Sequence, residues 1–194
     1  MVAITPLARE LPAAAPLRRF PGPWRFGRRI ARIVIDMNQE LADAMVESVQ
    51  EVFHRFLDLE VAEEATTVRH EMPETEDPDE VATLIGFSGA LRGAVIVRSS
   101  MATARILAHA LSGRHADGAG GPFLDLQGEL ADLLAGGIRA RLACHGELHL
   151  APPTTVTGQG FRLRNASIFT VIGKRFRIAG GGFTMECFYL KDFS

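Results

Sequence analysis

The stretch Asp125-Leu126-Gln127-Gly128-Glu129-Leu130-Ala131-Asp132-Leu133-Leu134-Ala135-Gly136-Gly137-Ile138-Arg139-Ala140-Arg141-Leu142 decides how the chain is read. Leu126, Leu130, Leu133, Leu134, Ile138 and Leu142 recur three and four apart, which sets them on one side of a helix of period about 3.6 and sends that side into a core. On the other side Asp125, Glu129, Asp132 and Gly136 follow at four, three and four, so three acids and a glycine form one exposed stripe. Acids that face water early in a helix are ordinary, since the dipole stabilises each by about 0.3–1 kcal/mol. A glycine inside a helix costs ~1 kcal/mol relative to alanine, and the flat spot it leaves lets a neighbouring element or another protein approach closely.

Upstream of that helix, Gly118 to Pro122 reads as a flexible loop. Before it, Ser99 or Ser100 caps a helix from Met101 to Leu111, with Ile106, Leu107 and Ala110 inward and Gly113 as its stop. Val81–Phe87 and Leu91–Val97 are two β-rich runs joined through Ser88-Gly89-Ala90 as a hairpin, with Gly93 allowing close packing or a bulge. A strand around Thr66–His70 precedes them, followed by an acidic, proline-bearing loop from Glu71 to Glu80. Earlier still, Ile30–Asp36 reads as a short strand that opens the folded domain. Asn38 then caps a helix from Gln39 to about Leu57, whose apolar face is Leu41, Ala42, Met45, Val49, Val52, Phe53 and Phe56. Glu47 and Gln50 stand three apart on its outer side, echoing Glu129 and Asp132.

Downstream, Pro152 to Gly160 enters and leaves a strand or edge segment, and three β-like runs follow: Ser167–Ile172, Lys174–Ala179 and Gly182–Leu190. Alternation is imperfect from Thr184 to Leu190, as in a strand covered on both faces. The residues thus describe a mixed α and β domain whose later half is mostly antiparallel sheet. Gly180-Gly181-Gly182 reads as a turn between strands.

Composition narrows the function classes. The 194 residues are 47% hydrophobic with a formal charge of -2, enough to bury one full core and too little positive charge for a general nucleic-acid field. No run approaches the ~20 apolar residues of a membrane span. Neither nucleic acid nor membrane is expected as a partner. Two cysteines, Cys144 and Cys187, suit a reducing cytoplasm as free, at least partly buried thiols. Residues 1–29 hold Arg9, Arg18, Arg19, Arg25, Arg28 and Arg29 against Glu10, with five prolines, and read as a disordered basic extension of a domain spanning 30–194. A targeting peptide or an anionic-surface anchor fits less well, for want of an apolar stretch or a clean amphipathic face.

Taken together, the run Ile85-Gly86-Phe87-Ser88-Gly89-Ala90-Leu91-Arg92-Gly93-Ala94-Val95-Ile96-Val97, the helix ending Leu111-Ser112-Gly113, then Asp125 to Gly136, and then Pro153-Thr154-Thr155-Val156-Thr157-Gly158 resemble the CheX type of the CheC/CheX/FliY chemotaxis phosphatases over roughly residues 30 to 190. The resemblance implies an α+β fold, a largely antiparallel sheet with two long helices packed on one face, often as a homodimer. It implies removal of phosphate from the aspartyl-phosphate of a CheY-like response regulator. No cofactor would be bound by the chain itself; Mg²⁺ would sit on the regulator. The family's pattern is a glutamate followed three residues later by an asparagine on the central helix. Glu129 matches the glutamate, which pairs with a lysine beside the regulator's phosphoaspartate, while Asp132 stands where the asparagine belongs. Asp125, Glu129 and Gly136 would meet the regulator, and Glu47 with Gln50 ranks lower as a second site of the same kind.

The aspartate keeps two function classes open: a phosphatase with Glu129 docking and Asp132 placing water, or a module of the same fold that binds a receiver or a flagellar-switch component without hydrolysis. Other chemistry is weakly supported. Cys144, His145 and His149 lie at a helix end and in a turn with no second cysteine pair, a poor metal set. His54, His70, His109 and His115 show no partner pattern, and no serine sits in a nucleophile elbow.

Overall fold

Helical spacing governs the chain from its first described residue. The computed structural model describes residues 27–69, 80–113, 120–158 and 170–190, and α1 (Gly27–Val52) opens it. The strand expected at Ile30–Asp36 is therefore helix. In the sequence Ile30, Ile33, Val34 and Met37 stand at helical intervals that run into Leu41, Met45 and Val49, and that long period outweighs the β preference of the branched residues. Asn38 consequently lies inside α1 rather than at its cap, and its Oδ1 accepts a 2.5 Å hydrogen bond from the Tyr189 hydroxyl. A π-helical turn, Phe53–Leu57, ends the element, with Asp58 in the left-handed region at φ 51°. The wider turn keeps Phe53 and Leu57 in the core and swings Phe56, expected on the apolar face, out to 50% exposure.

Among the described residues seven strands build one sheet: β1 (Val61–Arg69), β2 (Glu80–Gly89), β3 (Arg92–Ser100), β4 (Leu148–Leu150), β5 (Thr154–Gly158), β6 (Thr170–Ile178) and β7 (Gly181–Leu190). Their order is β1-β6-β7-β3-β2-β4, with β5 also on β2, and each of these pairings is antiparallel. The hairpin expected through Ser88-Gly89-Ala90 joins β2 to β3. Gly93 serves close packing rather than a bulge: the register runs through it, and a Cβ there would stand 2.0 Å from the Phe188 carbonyl oxygen. From Thr170 on, the two runs Ser167–Ile172 and Lys174–Ala179 are one strand, β6, which passes through Gly173 paired with Glu186 and ends at Ile178. β7 is buried from Met185 to Tyr189, as its broken alternation suggested. The three-residue β4 was not foreseen.

Two more helices lie with α1 on one face of this sheet. In α2 (Met101–Ser112) the Ser100 hydroxyl accepts from the Thr103 amide at 3.2 Å, and Gly113 at φ 64° closes the helix. α3 (Gly121–Arg141) starts with Pro122 in its first turn. Leu41, Met45, Phe53, Leu107, Leu130 and Leu134 meet Ile85, Ile172, Phe176 and Met185 in the main core. The other face carries Ala82, Ala94, Ile96, Val171 and Phe188. There Arg98 lies 3.7 Å from Glu80 and 3.4 Å from Glu186, all three buried.

The buried arc of α3 differs from the leucine stripe read in its sequence. Leu126 and Leu133 are only partly covered, and Phe123, Gln127, Ala131 and Ala135 go inside. The reason is that α3 is flanked by α1 and α2, so small residues are buried wherever a neighbouring helix crosses closely. Gln127 Nε2 donates to the Ala104 carbonyl of α2 at 2.9 Å. On the α1 side the Ser48 hydroxyl donates to the Leu134 carbonyl at 2.7 Å, and a Cβ on Gly137 would stand 2.2 Å from that hydroxyl oxygen. A Cβ on Gly136 would meet nothing within 4 Å. Cys187 is buried, and desolvation pushes its thiol far above the ordinary value. Cys144, expected to be at least partly covered, is exposed, because it sits in the short turn Ala143–His145 just past the last core-facing residue, Leu142.

The expected N-terminal extension up to residue 26, His70, the acidic loop as far as Asp79, residues 114–119 with His115, and the start of the run at Ser167 lie outside the described residues. The two adjacent glycines should respond oppositely to alanine. Gly137→Ala must displace Ser48 and should cost about 1–3 kcal/mol, whereas Gly136→Ala should stabilise the protein by up to about 1 kcal/mol. Urea unfolding of the pair checks this; equal midpoints would contradict the crossing geometry.

Candidate functional site

Glu129, Asp132, Gly136 and Arg139 occupy one face of α3 at spacings of three, four and three, and together they line an open groove of about 770 Å³. Its opposite wall is Leu150, Ala151, Pro152 and Pro153. That wall exists because the outer edge of β2 is shared by two short strands. β4 pairs at Phe87 to Gly89 and β5 at Glu80 to Leu84, and between them Pro152 and Pro153 have no amide hydrogen to continue the ladder. The chain bends there against α3, so closely that a Cβ on the buried Gly128 would stand 3.3 Å from Pro153 Cγ. Asp125, one turn earlier, is exposed but does not line the groove.

Among the described residues the side chains of Glu129, Asp132 and Arg139 make no hydrogen bond or ion pair. The acidic face of α1 is in the reverse condition. Arg141, reaching over from α3, donates from Nε to Glu47 Oε2 at 2.9 Å and from Nη2 to Glu51 Oε2 at 2.9 Å, while Nη1 is held by the Gly137 carbonyl at 3.1 Å. Arg55 adds a 2.6 Å bond to Glu51. Asp43 accepts from Gln39 at 2.8 Å, and Glu40 is taken by His145. Hydrogen bonds from Arg141 and then Arg55 hold the Glu51 carboxyl below its ordinary value, against a smaller opposing effect of burial. Glu47 and Gln50, expected to work as a pair, open onto different grooves. Glu47 faces one of about 250 Å³ with Asp43, Arg141 and Cys144; Gln50 faces one of about 960 Å³ with His54, Asp58 and Arg177.

The other constellations stay apart. His145 is engaged by Glu40, His149 Nδ1 lies 3.9 Å from Glu147, and Cys144 is exposed. Among the described residues no three His, Cys, Asp or Glu side chains converge as a metal set. Gly180, at φ 85°, makes the turn into β7, and Gly181 and Gly182 belong to that strand. No helix of the described residues is long and apolar enough to cross a membrane.

Two parts of the groove escaped the sequence reading. Arg139 was within reach of the same periodicity, three residues past Gly136 and seven past Asp132. The proline wall was not, because it is brought to α3 by strand pairing and no local spacing encodes it. Chemically, the unpaired carboxylates can accept hydrogen bonds, hold a water or pair with a cation on a visiting molecule.

Comparison with known proteins converges on one family. Residues 81–174 match the family model for the chemotaxis phosphatase CheX. The CheY-P phosphatase CheX of Thermotoga maritima is 26% identical over 135 residues, 68% of this chain and 84% of the relative. Among solved structures, the chemotaxis protein CheX of Vibrio vulnificus has a TM-score of 0.68 at 22% identity, covering 78% of this chain and 99% of that one. The CheX of Borrelia burgdorferi, solved as a CheX–CheY–BeF3–Mg²⁺ complex, gives 0.62 at 15% identity, covering 76% and 96%.

Because the folded value of Glu51 lies below the ordinary 4.5, its pairing contributes stability above about pH 4.5 that is lost as the pH falls through the depressed value. Arg141→Gln removes the larger share of that effect. Its thermal midpoint should therefore fall less than that of the wild type between about pH 5 and pH 3, and parallel acid limbs would contradict the pairing.

Proposed function

The chain belongs to the CheX/CheC-like chemotaxis phosphatase family, and on that premise we propose that it hydrolyses the aspartyl-phosphate of a CheY-like receiver through the α3 groove. One observation carries this reading: among the described residues, of the two acidic helix faces that of α1 is engaged in pairs within the chain, and that of α3 is left unpaired beside a groove. Glu129 accepts from a lysine of the receiver and fixes the approach. Asp132 accepts from a water, whose oxygen attacks phosphorus in line while the bond from phosphorus to the receiver's aspartate oxygen breaks. Inorganic phosphate leaves and the aspartate carboxylate is restored. The Mg²⁺ of the receiver carries the phosphoryl charge. Gly136 and Asp125 complete the contact face, and the setting is the cytoplasm, with a homodimer as the working form.

Asp132 sets the scale of the activity. A carboxamide holds water without adding charge, whereas a carboxylate only accepts and meets an anionic phosphoryl group. Two unit charges about 4 Å apart at an effective dielectric near 20 interact by ~4 kcal/mol, comparable to the roughly 3–5 kcal/mol of general-base assistance. Lysine and Mg²⁺ on the receiver reduce that repulsion, leaving a weakened phosphatase. The same aspartate favours a second reading, a module that binds a phosphorylated receiver without turning it over.

Decay of the acyl phosphate on a CheY-like receiver separates the two. Wild-type protein should accelerate it, Asp132→Asn should accelerate it further by about tenfold or more, and Glu129→Ala should weaken the complex by about tenfold. Acceleration by neither wild type nor the asparagine variant, with binding intact, assigns the chain to the binding-module class.

A further inference from the structure

We propose that Arg139 is a phosphoryl-binding residue of this groove, reaching back over Gly136 to offset the negative charge that Asp132 brings. The inference rests on the receiver-phosphatase reading and deepens it. Arg139 is exposed on the groove, and among the described residues no acid engages it, in contrast to Arg55 and Arg141 on the neighbouring helix faces. Side chains on a helix lean toward its N-terminus, so the stem of Arg139 can swing back over position 136. A long side chain there would stand in its way. Gly136 presents bare backbone, with nothing within 4 Å of where its Cβ would be.

Asp132 and Arg139 therefore stand about 10 Å apart along the axis, with a glycine floor between them and a proline wall alongside. An arginine stem spans about one turn, ~5.4 Å, which closes the gap to the size of one tetrahedral anion. Helix geometry leaves the two side chains too far apart to neutralise each other at rest, yet both can touch a group seated on Gly136. Arginine suits the task because its planar fork takes two phosphoryl oxygens at once. The chemistry selected is an anion that brings its own cation, as an acyl phosphate with Mg²⁺ does, since Glu129 and Asp132 alone would repel a bare anion.

The test uses a CheY-like receiver with BeF3⁻ and Mg²⁺ as the acyl-phosphate mimic, and the same receiver without them. Arg139→Gln should lower affinity for the BeF3⁻ form about ten- to a hundredfold and for the unmodified form less than threefold, with an unchanged melting temperature because no internal contact is lost. In an Asp132→Asn background the penalty should shrink at least threefold, since the neutral amide needs less offset. Gly136→Leu, which fills the path of the arginine, should reproduce the loss. An equal loss for both receiver forms would make Arg139 a general docking charge and overturn the proposal, as would a penalty indifferent to residue 132. If wild-type protein shows no preference for the BeF3⁻ form and Glu129→Ala has no effect on binding, the receiver reading itself falls, a result distinct from failure of Arg139 alone.

Discussion

The crossing of α1 over α3 is the constraint on which the rest of the molecule depends. It is set by Gly137, which leaves room for Ser48, and by the Ser48 bond to the Leu134 carbonyl, a contact of ~1 kcal/mol that also fixes the register of the two helices. Once that register is set, Arg141, one turn beyond Gly137, falls opposite Glu47 and Glu51. The arginine then engages both of those acids. Among the described residues nothing equivalent reaches the other side of α3, which turns toward solvent with Glu129 and Asp132. A single close approach thus makes two similar acid-bearing helices unlike each other, one with its acids paired and one with its acids open on a groove.

The edge of the sheet supplies the second half of the site. An uninterrupted strand along β2 would present a flat edge, exposed to pairing with other chains. Two prolines divide it into β4 and β5 and bend the chain onto Gly128, one residue before Glu129. The edge is thereby protected and the groove acquires its wall by the same device. Within it the charge is mixed, two acids and an arginine.

Elsewhere the fold places buried charge where both partners are held. Lys174 is almost fully covered and donates to Glu63 and Thr66 at 2.6 Å each, and that hydrogen bond holds the Glu63 carboxyl below its ordinary value against desolvation. Tyr189, whose hydroxyl is raised to about 12 by burial and then by the neighbouring Cys187, stays a neutral donor to Asn38. Such contacts tie β1 to β6 and β7 to α1, and they stiffen the platform under the helices without entering the groove.

The sequence by itself determined the elements with strong local signals: the β2–β3 hairpin, the Ser100 and Gly113 caps of α2, and the acidic face of α3 with Gly136 upon it. These depend on spacing and on backbone chemistry within a few residues, which a linear reading contains. It erred where a long-range period competed with local preference, reading the stretch from Ile30 with its β-branched residues as strand although it lies within α1, and where a π-helical turn rotated Phe56 outward. Only the tertiary structure decided that Gly137 is the packing glycine and Gly136 the open one, that Glu47 is engaged by Arg141 while Glu129 is not, and that Pro152 and Pro153 stand across from Asp132. Each of these depends on which residues distant in the chain come within a few ångströms, and that is set by helix crossing and strand pairing rather than by any local pattern.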